Sequence, residues 1–79
     1  MTGPLYMEGY SDGQASAMAC RKTILRMSSQ QEKALLAGRC LQSEELIVGI
    51  FRGGDIRYKT GFFDGFLDKA QEFNKDDDN

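Results

Sequence analysis

The chain contains no histidine and no tryptophan, and its two cysteines lie twenty residues apart. Because histidine is the commonest general base and a usual metal ligand, its absence removes the Cys-His and Ser-His pairs of nucleophilic catalysis. Cys20 and Cys40 also lack the CxxC spacing of structural zinc sites, and no Gly-x-x-x-x-Gly-Lys-Ser/Thr phosphate loop occurs. We therefore expect neither enzymatic activity nor a bound metal or cofactor.

The sequence also lacks any apolar run near the roughly 20 residues that a helix needs to span a bilayer. The N-terminus has neither the basic segment nor the continuous apolar segment of a signal peptide. We therefore expect a cytoplasmic protein that is not inserted in a membrane. In that compartment Cys20 and Cys40 are more often free thiols than a disulfide, and the disulfide is the alternative.

Length and charge are compatible with a single domain for which a binding role is physically plausible. A chain of 79 residues is near the size at which one apolar core only just offsets chain entropy, so a partner or self-association often helps. Residues 21–59 carry eight basic and four acidic side chains, whereas residues 60–79 carry six acidic and two basic ones. The net charge of −2 by itself favours neither a nucleic-acid-binding protein nor a disordered one.

One octapeptide pattern occurs twice in the chain. Residues 6–13 and 58–65 both read Tyr-x-x-Gly-aromatic-x-Asp-Gly, so each copy places two glycines four residues apart, as a bare strip on a helix. A glycine weakens a helix interior by roughly 1 kcal/mol relative to alanine. We therefore predict that the strips let the first and last helices cross closely, enclosed by aromatic rings. The residues concerned are Gly9, Gly13, Gly61 and Gly65, with Tyr6, Tyr10, Tyr58 and Phe62. The alternative is that one strip is an open groove for a partner's helix.

Cap signals and apolar spacing predict the helices of the first half of the chain. The first helix should start at Thr2-Gly3-Pro4, with Thr2 or Gly3 as the cap and Pro4 in the first turn, and run to about Met27. The second should follow a Ser29–Glu32 capping box and run to about Leu41. Its buried side should consist of Leu35, Leu36, Cys40 and Leu41. A further helix start is predicted at residues 43–45, where acidic residues follow a serine.

The apolar run at residues 46–51 fits either a short buried helix or a strand of a hairpin. Because residues 58–65 repeat a pattern assigned to a helix in the first copy, we favour the helix. We therefore predict an all-α fold, a compact bundle of about four helices with pseudo-repeated first and last helices. The alternative is an α+β fold with a hairpin at 46–60. Residues 1–74 should form a single domain, and residues 75–79 a disordered acidic tail.

Three acidic residues of the last helix, Asp64, Asp68 and Glu72, form what we call the acidic stripe. They lie at four-residue steps, where neighbouring like charges repel by roughly 0.2–0.5 kcal/mol per pair. The stripe is either a solubilising face or a patch that meets arginine and lysine side chains of a protein partner. With Tyr10 and Phe62 it forms the predicted partner-binding surface.

Basic residues cluster near the end of the first predicted helix. Lys22 and Arg26 share a helix face, Arg21 lies beside them, and Arg39 follows in the second helix. The first three either stabilise the helix C-terminus through its dipole or contact nucleic-acid phosphates, although no aromatic side chain is interleaved among them. These four residues are the predicted nucleic-acid-binding set.

The opening motif resembles the start of small bacteriophage-encoded accessory proteins. The resemblance is carried by residues 9–17, Gly-Tyr-x-Asp-Gly-x-x-x-Ala, and the second copy departs from it with Lys69 at the position of Ala17. It implies a protein that binds, and often inhibits, a host enzyme or defence complex, as anti-CRISPR proteins do.

These observations predict a non-enzymatic protein–protein interaction module. It would inhibit or regulate a macromolecular partner, such as a host enzyme or a nucleoprotein complex, in the cytoplasm of the host if the chain is phage-encoded. The alternative is a small helical nucleic-acid-binding regulator that acts as a homodimer through its glycine strips.

Overall fold

Four helices make up the part of the chain that the structure, a computed structural model, describes, namely residues 3–48 and 56–77. They are α1 (Pro4–Ala19), α2 (Arg21–Leu25), α3 (Gln30–Val48) and α4 (Ile56–Asp77). No strand occurs within these residues, so the prediction of an all-α bundle of about four helices is confirmed. The alternative hairpin at 46–60 is wrong, because both of its flanks lie in helices, α3 and α4. Residues 49–55, which would hold its loop, lie outside the described part.

The predicted first helix breaks at Cys20. The backbone there (φ −103°, ψ 18°) lies in the bridge region rather than the α region. Its amide N–H is shared between the carbonyls of Ser16 and Ala17, each at 3.1 Å. α1 therefore ends at Ala19, and α2 is a separate helix of five residues.

The second and third predicted helices are instead one helix, α3. The Ser43 hydroxyl, expected at a helix start, donates a hydrogen bond to the carbonyl of Arg39 four residues earlier, at 3.3 Å. This bond is typical of a serine inside a helix. α3 therefore passes through residues 43–45 and ends at Val48.

The observed helix starts follow the predicted caps. Pro4 opens α1 after an extended Gly3, a position where the missing proline N–H is no loss. α3 starts after Ser29, whose hydroxyl accepts a hydrogen bond from the amide of Glu32 at 3.1 Å, which is one half of the predicted capping box. The boundary of the tail at residues 75–79 stays a prediction, since α4 is described to Asp77.

α4 supplies most of the large side chains of the core. Tyr58, Phe62 and Phe66 are fully buried, and Ala70 and Phe73 continue the same face at three- and four-residue steps. Both α1 and α3 pack mainly against α4 and only lightly against each other. α4 is therefore the central helix. The other buried apolar residues are Ala17, Ile24, Ala37 and Leu41.

The buried face of α3 matches the prediction only in part. Leu41 is buried, and Leu36 and Cys40 pack against the core as predicted. Leu35, expected to be buried, is 69% exposed, whereas Lys33 is only 4% exposed. Lys33, Ala37 and Leu41 lie at four-residue steps and form the face that packs on the core. A lysine occupies such a position because its aliphatic stem packs along apolar surface. The helix is therefore rotated relative to the predicted orientation, which leaves Leu35 in solvent.

α1 and α4 cross at the repeated glycines and run in the same direction. A Cβ atom on Gly9 would lie 2.2 Å from the carbonyl oxygen of Tyr58, and one on Gly13 would lie 2.1 Å from that of Phe62. Residue numbers rise together along the two helices, so the pair is parallel. The two backbones are in contact with no side chain between them.

The glycines of α4 make the reciprocal contacts. A Cβ atom on Gly61 would lie 2.1 Å from the carbonyl oxygen of Tyr6, and one on Gly65 would lie 2.1 Å from that of Tyr10. The predicted close crossing is thus confirmed. The alternatives that need an open strip, a groove for a partner's helix and a homodimer through the strips, are wrong for this fold. A homodimer through another surface stays a prediction.

The parallel crossing determines the path of the chain between α1 and α4. The chain must return along the length of α1, 16 residues or about 24 Å, before α4 can start beside the beginning of α1. α3, with 19 residues and a length of about 28 Å, is long enough to do so. Consistent with this path, Gly38 in the middle of α3 lies against the ring of Phe63.

Candidate functional site

Three tyrosine–aspartate hydrogen bonds join α1 to α4 beside the glycine crossing. The pairs are Tyr6–Asp64, Tyr10–Asp68 and Tyr58–Asp12. In each pair the phenol donates to a carboxylate oxygen 2.5–2.6 Å away, the length of a charge-assisted O–H···O⁻ bond. The two helices are therefore held by backbone contact along the centre and by strong polar contacts beside it.

Two of these bonds are related by the sequence repeat. Tyr6 of the first copy donates to Asp64 of the second, and Tyr58 of the second copy donates to Asp12 of the first. Because the helices are parallel and these contacts are reciprocal, the two copies of the repeat are related by a pseudo-two-fold axis that runs parallel to the helices. The two copies of the motif therefore pack against each other within one chain.

The third bond, Tyr10–Asp68, has no counterpart. The repeat places Phe62 where the first copy has Tyr10, and Ser16 where the second has Asp68. If α1 paired with α1 of a second chain, Tyr10 would face a serine, and if α4 paired with α4, Asp68 would face a phenylalanine. This bond therefore favours the pairing of α1 with α4 over the two self-pairings.

The acidic stripe lies along this helix pair rather than standing free in solvent. Asp64 and Asp68 are exposed, but each accepts a hydrogen bond from a tyrosine of α1. Glu72 is exposed and lies 3.3 Å from the ammonium of Lys69. A structural role thus accounts for two of the three carboxylates, and the binding of a basic partner by the stripe stays a prediction.

The two aromatic residues predicted to contact a partner have different environments. Phe62 is fully buried in the core and presents no surface to a partner in this fold. Tyr10 is partly exposed, and its hydroxyl is used by Asp68. The motif predicted both residues, but only the fold shows which of them reaches the surface.

The hydrogen bond to Asp68 raises the pKa of Tyr10 to about 12 from its ordinary value of 10.0, with burial and the charge of Asp68 adding to the effect. The hydrogen bond to Asp64 raises the pKa of Tyr6 in the same way. Because a folded-state pKa above the unfolded value favours the protonated phenol in the fold, this stabilisation is complete below about pH 10. It is lost as the pH rises through about 12.

Asp68→Asn should lower the pKa of Tyr10, because a neutral amide accepts a weaker hydrogen bond and adds no negative charge. The pKa can be read from the tyrosinate absorbance in an alkaline titration, with Tyr10→Phe identifying the contribution of that phenol. Glu72→Gln is the matched control and should change the titration much less, since Glu72 is the weakest of the influences on Tyr10. Equal titrations of Asp68→Asn and the wild-type protein would contradict the hydrogen bond.

The predicted nucleic-acid-binding residues are exposed but do not share one role. The guanidinium of Arg21 lies 5.4 Å from the centroid of the Phe73 ring, a cation–π contact that ties α2 to α4. Lys22 and Arg26 are exposed on α2, and Arg39 is exposed on α3. Because of the helix break at Cys20, these residues follow α1. Lys22 lies in the last turn of α2 and Arg26 is its C-cap residue, so the expected stabilisation of a helix C-terminus applies to α2.

A cleft lies between the N-terminal ends of α1 and α4, and we call it the N-terminal cleft. It has a volume of about 280 Å³ and combines the ring of Tyr6 and the side chain of Ile56 with polar and charged groups. Ile56 is 73% exposed. The polar lining residues are Arg57, Thr60 and Asp64. Sequence reasoning missed this cleft, because its lining combines Tyr6 of α1 with residues of α4 that are distant in sequence.

A second cleft, of about 180 Å³, lies where α3 begins. It is lined by Met27, Glu32, Leu35, Leu36 and Arg39. The exposed Leu35 described above is part of this lining. The two clefts are similar in composition, each with an exposed aliphatic side chain beside charged groups, which makes each a control for the other.

Comparisons with known proteins add no relationship. The chain matches no protein-family model, and neither a curated protein nor a solved structure is significantly similar to it. In the described part of the chain, no helix combines the length and apolar character that crossing a membrane requires.

Proposed function

We propose that this protein is a protein-binding module that inhibits or regulates a macromolecular partner in the cytoplasm. The observation that supports this function best is the N-terminal cleft, where Ile56 is 73% exposed at the first turn of α4. An apolar centre with a charged and polar rim is the usual anatomy of a protein interface. Arg57 and Asp64 supply charges of both signs at that rim.

The size of the cleft favours a side chain of a protein partner over a small molecule. At about 280 Å³ it is at or below the lower end of the range of roughly 300–1,000 Å³ that is usual for ligand pockets. Single aromatic or aliphatic anchors that enter small pockets supply much of the energy of protein interfaces. The resemblance of the opening motif to phage accessory proteins suggests a host enzyme or defence complex as the partner, with inhibition as the outcome.

The test compares two matched charge substitutions, Ile56→Asp and Leu35→Asp. Both replace exposed aliphatic side chains, 73% and 69% exposed, so neither should unfold the domain, and an acidic residue in the first turn of a helix is favourable. Tagged wild-type and variant proteins are used to capture partners from host cells, and bound proteins are quantified by mass spectrometry. We expect a stoichiometric partner that Ile56→Asp loses and Leu35→Asp retains. A partner retained by Ile56→Asp would refute the role of the cleft.

The alternative function, nucleic-acid binding, has support from the exposure of Lys22, Arg26 and Arg39. It no longer has the proposed dimer interface, because both glycine strips are covered within one chain. A nucleic acid that copurifies with the protein and dissociates as salt rises would favour this alternative. A protein complex free of nucleic acid would favour the protein-binding module.

A further inference from the structure

The two cysteines of the chain face each other across the fold. Cys20 lies at the junction between α1 and α2, Cys40 lies in α3, and their sulphur atoms are 3.8 Å apart. They are not joined by a disulfide in this structure, and both are partly exposed. A disulfide needs a sulphur–sulphur distance of about 2.05 Å, so the pair must close by less than about 2 Å.

We propose that Cys20 and Cys40 form a dithiol modification site that takes a small disulfide, such as oxidised glutathione, as its oxidant. The thiolate of one cysteine attacks the disulfide, forms a mixed disulfide and releases one small thiol. The thiolate of the other cysteine then attacks the protein sulphur of that mixed disulfide and releases the second small thiol. Two protein thiols are oxidised to one intramolecular disulfide, and one small disulfide is reduced to two thiols.

A disulfide between Cys20 and Cys40 should stabilise the fold because of where the two cysteines lie. α1 and α3 touch each other only lightly, because each packs mainly on α4. A disulfide between Cys20 and Cys40 would join the α1–α2 junction directly to α3, where non-covalent packing is thin. It would also close a loop of about twenty residues and so restrict the unfolded chain.

The accessibility of the pair allows the reaction in the folded protein. Both sulphurs belong to residues that pack against the apolar core without being fully buried. A reagent of the size of glutathione therefore reaches one sulphur first, and the second sulphur, already in contact, resolves the mixed disulfide. The proposal does not depend on the proposed function and concerns a different part of the surface from the N-terminal cleft.

The experiment equilibrates the purified protein with mixtures of oxidised and reduced glutathione and identifies the products by mass spectrometry. We expect one product, a monomer lighter by two hydrogen atoms. After trypsin digestion without reductant, the peptide that ends at Arg21 should be linked to the peptide that begins at Cys40. In denaturant, the equilibrium constant for forming the disulfide should be about 100-fold smaller than in the folded protein. This ratio corresponds to the stabilisation of the fold that is expected from a disulfide closing a loop of this length. The oxidised protein should melt roughly 10 °C or more above the reduced one.

Two variants complete the test. Cys20→Ser and Cys40→Ser should each form only a mixed disulfide with glutathione and should show no oxidation-dependent rise in melting temperature. The linked peptides of the wild-type protein provide a readout that does not depend on the folding of these variants. Disulfide-linked dimers or separate glutathione adducts on both cysteines would overturn the proposal. So would an equilibrium constant for disulfide formation that is less than about 10-fold larger in the folded protein than in denaturant.

Discussion

Gly13→Ala should destabilise the domain by about 2 kcal/mol or more, although alanine is the better helix former. The new Cβ atom would lie 2.1 Å from the carbonyl oxygen of Phe62, whereas ordinary contact begins at 3.4 Å. The obstacle is backbone on the central helix, so no side chain can rotate out of the way. α1 and α4 must therefore separate by more than about 1 Å at the crossing, which weakens contacts along the whole pair.

The cost of the clash in Gly13→Ala exceeds the gain in helix propensity, so the net effect is destabilising. The helix-propensity gain of glycine to alanine is about 1 kcal/mol. Overpacking in a well-packed interior costs typically 1–3 kcal/mol and occasionally more. We place this substitution at the upper end of that range, because the clashing atom belongs to the backbone. The net stability of a domain is about 5–15 kcal/mol, so a loss of this size is a large fraction of it, and Gly13→Leu should leave no folded protein.

The matched control is Gly38→Ala, in the middle of α3. A Cβ atom there would lie 3.9 Å from the end of the Phe63 ring, an ordinary contact. This variant should gain helix propensity without a clash and be more stable by about 0.5–1 kcal/mol. Urea denaturation of both variants measures the two effects. A Gly13→Ala variant as stable as the wild-type protein would contradict the close crossing.

The close crossing of α1 and α4 was predictable from the spacing of the glycines in the repeat. Glycines four residues apart, in two copies, are costly in helices unless another backbone approaches. The same repeat also contained a signal that the sequence interpretation did not use. In each copy the tyrosine precedes the aspartate by six residues, and the parallel pairing places the tyrosine of each copy beside the aspartate of the other. Asp64 therefore belongs to the helix contact rather than to an independent stripe.

Other features depended on the balance of tertiary packing and were not predictable from local patterns. Lys33 replaces Leu35 on the buried face of α3, because the rotation of that helix is set by α4 and not by its own hydrophobicity. The break at Cys20 has no glycine or proline to mark it. Ser43 carries the sequence signal of a helix start and yet sits inside a helix, because its hydroxyl bonds to the preceding turn. Both clefts combine side chains whose proximity only the fold shows.

Tyr58→Phe should destabilise the domain by about 2 kcal/mol, whereas Tyr6→Phe should destabilise it clearly less. Both substitutions remove a hydroxyl that donates to a carboxylate, with 2.5 Å to Asp12 in one case and 2.6 Å to Asp64 in the other. Tyr58 is fully buried and its bond is partly buried, whereas the Tyr6 bond is exposed. Hydrogen bonds to charged groups contribute about 1.5–3 kcal/mol, and water replaces much of that contribution at an exposed site.

Double-mutant cycles separate this hydrogen-bond effect from other contacts of the same side chains. Tyr58→Phe with Asp12→Ala should give a coupling energy of at least about 1 kcal/mol, and Tyr6→Phe with Asp64→Ala a clearly smaller coupling energy. The repeat makes the two cycles chemically identical, so their difference reports the environment of the bond. Equal coupling energies would mean that burial of Tyr58 does not strengthen its bond. Unequal coupling energies would instead show that the two hydrogen bonds, though related by the sequence repeat, stabilise the α1–α4 pair unequally, with the larger contribution from Tyr58–Asp12.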